Sequence, residues 1–233
     1  MAAVFLHKTA LVPYTVFMNL LHVSGTADAR DFLIQRIETL LTSGERVLLL
    51  LSGGSAMDME IQALQTVAGH PQADNLLVSQ VDERYGQAGH PDSNWQQLID
   101  RGFDPESVSH HPILNGKGLG ATAADFSSFL DRERKRTIIG VFGMGTDGHT
   151  AGILPGSSAI DETNTVAAYE SSPYTRITVA PPFFSRVDLA LLWAMGGEKQ
   201  IQLERFKSDL SPADQPAQLL KQCRELYIFT HRS

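Results

Sequence analysis

A single cysteine, Cys223, stands in a chain of 233 residues. That excludes a disulfide within the chain and a cysteine-built metal centre, and it fits a reducing cytoplasm. Positive charge is also scarce: 19 Lys and Arg against 26 Asp and Glu leave a formal charge of −7. Nucleic-acid binders draw most of their affinity from basic surface, so that class of partner is excluded. The one dense run of cations, "RERKR" from Arg132 to Arg136, reads as the solvated end of a helix. Long apolar runs are missing too. The longest, "VLLLL" from Val47 to Leu51, is strand-length, far short of the roughly 20 residues a membrane-spanning helix needs. The opening "MAAVFLHKTALVP" lacks the charged start of a secretory signal. With 42% hydrophobic and 19% charged residues, and no repeat or low-complexity stretch, the expectation is one globular, cytoplasmic domain over residues 1–233 with no membrane partner.

What is present is alternation. Short apolar runs at 16–23, 46–51, 75–84, 137–145, 176–181 and 187–197, with a closing run at 225–230, are separated by amphipathic stretches at 27–44, 55–67 and 121–134. Within the first of these, Phe32, Leu33, Arg36, Ile37, Leu40 and Leu41 approximate a helical stripe. A further helix is expected from "DSNWQQLIDRG" with Asp92 as its N-cap, and a short strand at "SVSHHPIL". "SDLSPADQPAQ" reads as a surface loop. Strands without polar alternation, separated by helices, indicate an α/β fold: a mainly parallel, open, Rossmann-like sheet with helices on both faces. Ligands of such sheets bind beyond the carboxyl ends of the strands.

Four polar clusters follow apolar runs directly: "SGGS" (Ser52 to Ser55), "DER" (Asp82 to Arg84), "GTDGHT" (Gly145 to Thr150) and "GGEK" (Gly196 to Lys199). In a parallel sheet all four meet at one edge. Gly53, Gly54 and Ser55 join a strand to a helix, where free backbone N–H groups favour an anion such as phosphate; a plain tight turn capped by Ser55 is the alternative. The cluster is neither a Walker loop nor a nucleophile elbow. "GMGTDG" matches the dinucleotide pattern G-x-G-x-x-G, but Pro155–Gly156 interrupts the helix that should follow, so no such cofactor is expected. His149, in a glycine-rich loop with Asp147 two residues before it, is suited to general-base work. Asp82 and Arg84 alternate on an expected strand end, where they can bind a polyol and meet developing negative charge, or simply form a surface ion pair. His110 and His111 give no metal-ligand spacing and read as structural.

Together "SGGSAM", "DERYGQAGHPDSN" and "GMGTDGHTAGILPG" resemble the motifs of the 6-phosphogluconolactonase family, within the wider group that includes the glucosamine-6-phosphate deaminases. The similarity continues more weakly through "RITVAP" and "LALLWAMGGEK". The resemblance implies hydrolysis of 6-phospho-D-glucono-1,5-lactone to 6-phosphogluconate, a step of the pentose phosphate pathway, with no metal or organic cofactor. It implies that Gly53, Gly54, Ser55, Arg176 and Lys199 hold the 6-phosphate, that His149 activates water, and that Asp82, Arg84 and Asp147 shape the sugar end. Two departures stand out: Ala56–Met57 replaces the family's Thr-Pro, and "AGILP" replaces ASLFP. Losing one neutral hydrogen bond to the phosphate would weaken binding by about 0.5–1.5 kcal/mol. The deaminases carry an acidic residue shortly after the motif histidine, where this chain has Gly152, Ile153 and Leu154. A non-catalytic sugar-phosphate sensor would need an output module, and about fifteen residues before the first expected strand are too few for one.

Overall fold

The computed structural model describes residues 17–23 and 25–231; the opening segment discussed above lies outside them. Among the described residues ten strands run in chain order: β1 Phe17–Val23, β2 Val47–Leu51, β3 Leu76–Gln80, β4 Asp82–Arg84, β5 Ser109–His110, β6 Thr137–Gly143, β7 Val166–Ser171, β8 Tyr174–Val179, β9 Leu189–Trp193 and β10 Glu225–His231. The helices are α1 Thr26–Thr42, α2 Met57–Val67, α3 Asn94–Asp100, α4 Leu119–Arg132, α5 Pro181–Phe184 and α6 Gln200–Phe206. Seven strands make one sheet in the order β1-β10-β9-β6-β2-β3-β5, with every neighbouring pair parallel.

β2 shows why its sequence carries no polar alternation. All five of its residues are buried. Leu48 and Leu50 point into one core, beside Phe126 of α4 and Phe206 of α6. Val47, Leu49 and Leu51 point into the other, beside Leu33 of α1 and Leu64 of α2. Each such side chain contributes about 1.5–3 kcal/mol by leaving water, so the strand that ends in Ser52 is firmly held. On α1 the buried positions Ala29, Leu33, Ile37 and Leu41 recur every four residues, which keeps them on one face. Among the described residues no helix is long and apolar enough to cross a membrane.

Five features depart from the expectation. The run 75–84 is not one strand: the chain turns at Val81, and β4 leaves the parallel sheet to pair with β8. β8, expected in the main sheet, lies in a separate antiparallel sheet of order β4-β8-β7. β7 had no strand signal, because its buried Ala167 and Tyr169 alternate with exposed Ala168 and Glu170 rather than forming an apolar run. The N-cap of α3 is Ser93 rather than Asp92, since the buried Glu83 carboxylate captures the N–H groups of Asn94 and Trp95 and fixes the start one residue later. "SDLSPADQPAQ" is not wholly surface: Gln215 is fully buried and Pro216–Gln222 form a 3-10 helix with an apolar inner side.

Candidate active site

The carboxyl ends of β2, β6 and β9, together with β4 and β8, enclose a cavity of about 360 Å³ lined by residues of all four motifs, among them Ser52–Ser55, Asp82, Arg84, His149, Arg176 and Lys199. A larger and shallower cavity, about 600 Å³, lies at the opposite, amino edge of the sheet, lined by Arg134, Lys135, Arg136, Thr137, Arg186 and Asp188. It has neither a glycine loop nor a histidine, so chemistry favours the smaller one.

The loop after β6 is built to present an imidazole. Gly145 N–H donates to the His149 carbonyl at 2.9 Å, and Thr150 Oγ1 donates to the Gly143 carbonyl at 2.8 Å. This folds the loop back so that His149 Nδ1 lies 2.7 Å from Asp147 Oδ1, whose oxygen also accepts from His149 N–H at 3.0 Å. With Nδ1–H given to the carboxylate, Nε2 is left as the basic nitrogen. The approach needs glycine at 145: a Cβ there would sit 2.2 Å from His149 Nδ1 and 2.6 Å from Asp147 Oδ1. Burial disfavours the Asp147 charge, but the bonds and charge from His149 outweigh it and hold this carboxyl below the usual range. From behind, Gln202 Nε2 donates to the Thr146 carbonyl at 3.0 Å, and Gln215 Nε2 donates to the Gln202 carbonyl at 2.7 Å.

The opposite wall is suited to an anion. Lys199 Nζ reaches Ser55 Oγ at 3.4 Å across the end of the glycine loop. Desolvation pulls the Lys199 pKa down, with Glu198 acting in the other direction. An ammonium so placed gains most from a negative ligand. Ala56 and Met57, where the related family has Thr-Pro, are both buried with the core of α2.

Between these ends, Glu83 organises the DER motif. Fully buried, it accepts from Gln80 Nε2, Ser93 Oγ and the N–H groups of Arg84, Asn94 and Trp95, at 2.7–3.0 Å. Those bonds join DER to the DSN segment. Asp82 is left facing the cavity: its Oδ2 lies 3.5 Å from Arg176 Nη1, and its carbonyl accepts from Asn94 Nδ2 at 3.0 Å. Burial pushes the Asp82 carboxyl up, against the pull of Arg176. Gly152 makes room for it. At φ +63°, a Cβ on this residue would meet Asp82 Oδ2 at 2.5 Å, so the serine-to-glycine part of the change from ASLFP to AGILP makes room for the carboxylate. Arg84 Nη1 donates to the Asp92 carbonyl at 2.9 Å, and its guanidinium lies over the Tyr174 ring.

All nine residues singled out in the sequence thus meet at one edge. Eight line the cavity, and Asp147 supports His149 from beside it. Arg176 and Lys199 are engaged differently, one by Asp82 and Ser171 and the other by Ser55. Sequence reading missed Glu83, Asn94, Tyr174, Gln202 and Gln215. For Glu83 the signal was available, since it stands between two residues already chosen; the two glutamines act across distance and had none. His111 stacks on Phe129 at 3.9 Å, away from the cavity. Among the described residues no three His, Cys, Asp or Glu side chains converge as a metal-ligand set.

A profile of the "Glucosamine-6-phosphate isomerases/6-phosphogluconolactonase" family matches residues 24–228. The chain is 27% identical over 208 residues to the 6-phosphogluconolactonase of Helicobacter pylori strain J99, covering 85% of this chain and 90% of that protein. It is 27% identical over 191 residues to that of Nostoc sp. strain PCC 7120, covering 75% and 77%. Among solved structures, the 6-phosphogluconolactonase of Thermotoga maritima superposes with a TM-score of 0.79 at 17% identity, over 94% of this chain and all (100%) of the other. A monomeric glucosamine-6-phosphate deaminase superposes with a TM-score of 0.75 at 18% identity, over 92% and 98%. At such identities the superpositions speak for the fold, which both activities share.

Proposed function

The chain belongs to the family of glucosamine-6-phosphate isomerases and 6-phosphogluconolactonases, and on that premise we propose that it hydrolyses 6-phospho-D-glucono-1,5-lactone to 6-phosphogluconate. It is a hydrolase of a carboxylic ester. The observation that carries the reading is the 2.7 Å contact between His149 Nδ1 and Asp147 Oδ1, in a cavity whose far wall is the glycine loop with Lys199. A base and an anion holder share one small space.

In this reading the 6-phosphate rests on the N–H groups of Gly53, Gly54 and Ser55, with Lys199 and Arg176 supplying positive charge. His149 Nε2 takes a proton from water as its oxygen bonds to C1. The tetrahedral oxyanion gathers charge toward Arg84, which is held by the Asp92 carbonyl and the Tyr174 ring. The bond between C1 and the ring oxygen then breaks, and the proton passes from His149 to that oxygen. Asp147 keeps the imidazole in one tautomer throughout, and Asp82 with Asn94 orients the sugar hydroxyls.

Amino-sugar-phosphate deamination calls for an acid just past the histidine. Here that stretch is Gly152, filled by the neighbouring Asp82, and fully buried Ile153. The test compares acid release from freshly made lactone, above its spontaneous rate, with ammonia release from glucosamine 6-phosphate. Rapid acid release without ammonia supports the lactonase; ammonia release or no acceleration overturns it.

A further inference from the structure

Beneath the glycine loop lies a carboxyl that the chemistry above does not use. Glu60, on the first turn of α2, is fully buried. Its Oε1 accepts from Ser52 N–H at 2.7 Å and from Ser52 Oγ at 3.1 Å, gripping the residue from which the loop springs. Its Oε2 is buried without a hydrogen-bond partner. A carboxyl in that setting is costly to ionise, since the charge would have neither water nor a cation to meet it. The ionisable group that acts on it is Asp82 at the head of β4, and that charge too opposes ionisation.

We infer that Glu60 is a positioning residue for the substrate phosphate: through Ser52 it sets the glycine loop, and a negative charge on it weakens the loop's hold on a dianion. The inference rests on the proposed function, because it takes the loop to be the phosphate site. Phosphate and an ionised Glu60 would be two negative charges on opposite sides of one turn of backbone, with little solvent between them. Binding a dianion and ionising Glu60 therefore oppose one another, and by linkage each makes the other less favourable. Burial, opposed by the bonds from Ser52 and aided by Asp82, pushes this carboxyl up to about 8. The competition then falls at mildly alkaline pH rather than in the acid range.

Calorimetric binding of 6-phosphogluconate at pH 7 and pH 9 tests it. The native protein should bind about tenfold more weakly at pH 9. Glu60→Gln, which keeps an oxygen for Ser52 but cannot ionise, should flatten that response. Glu60→Met, which loses the anchor as well, should bind more weakly than the Gln variant at both pH values and show no alkaline fall. If Glu60→Gln keeps the native fall, deprotonation of Lys199 accounts for it and the inference fails. Binding by Glu60→Met equal to that of the Gln variant would overturn the anchoring role. If the native protein binds 6-phosphogluconate at neither pH, the proposed function fails first.

Discussion

Arg84 and Arg176 face each other as register partners across β4 and β8, with the Tyr174 ring 4.8 Å from the first guanidinium and 5.5 Å from the second. Like charges directly opposite on a sheet repel. Here the repulsion is offset by one shared aromatic ring and by Asp82 beside Arg176. A pair of cations held this way is ready for an anionic partner. Tyr174→Leu removes the shared support, worth about 0.5–2 kcal/mol per cation, and should raise KM for the lactone several-fold through Arg176 and lower kcat several-fold through Arg84, which meets the oxyanion. Tyr174→Phe keeps the ring and should stay within about twofold of native KM, by steady-state kinetics on both variants.

Gly145→Ala should separate catalysis from folding. The added methyl falls on the His149 ring and the Asp147 carboxylate, which can move aside, so the protein should keep nearly its native melting temperature. The displaced imidazole loses its alignment, and kcat should fall by about 10²-fold. Unchanged kcat in a folded variant would show that the close Gly145–His149 approach does not matter.

Glu83→Ala leaves five donors around a buried site without their acceptor. Bonds to a charged group are worth about 1.5–3 kcal/mol each, and the orphaned N–H groups add desolvation cost. Loss of at least about 3 kcal/mol is expected in chemical denaturation, large enough to lower expression. A cost below about 1 kcal/mol would mean that this hub contributes little.

Glu60 also gives stability a pH dependence whose sign is fixed. Its carboxyl rises from the ordinary 4.5 to about 8 on folding, so between those values the folded state binds more protons than the unfolded one. Stability from this group is fully present below about 4.5 and is lost as pH climbs toward about 8, by on the order of a few kcal/mol. The melting temperature of Glu60→Gln relative to native should therefore rise from pH 5 to pH 8. A difference that stays constant across that range would contradict the assignment.

The pattern of buried strands and helical stripes made the main sheet legible, because both faces of β2 and one face of α1 are apolar for simple geometric reasons. The convergence of SGGS, GTDGHT and GGEK followed from parallel topology; DER joins them through β4, which pairs with β8 outside the parallel sheet. What escaped was set by contacts distant in sequence. The break at Val81 depends on β4 finding β8 nearly a hundred residues later. The start of α3 depends on a carboxylate ten residues upstream. Gln215 looked like loop polarity, yet it is buried because its amide supports Gln202 behind the catalytic loop. Glu60 carries no motif of its own, and only the Ser52 contact reveals it.

The most direct test of the central claim is acid release from freshly generated 6-phosphogluconolactone by the native protein and by His149→Ala, both measured above the spontaneous rate. General-base assistance is worth about 10²–10⁴-fold. The native protein should accelerate hydrolysis strongly, and the variant should lose at least about 10² of that while still binding 6-phosphogluconate. A variant that hydrolyses the lactone as fast as the native protein would place the base elsewhere and contradict the mechanism.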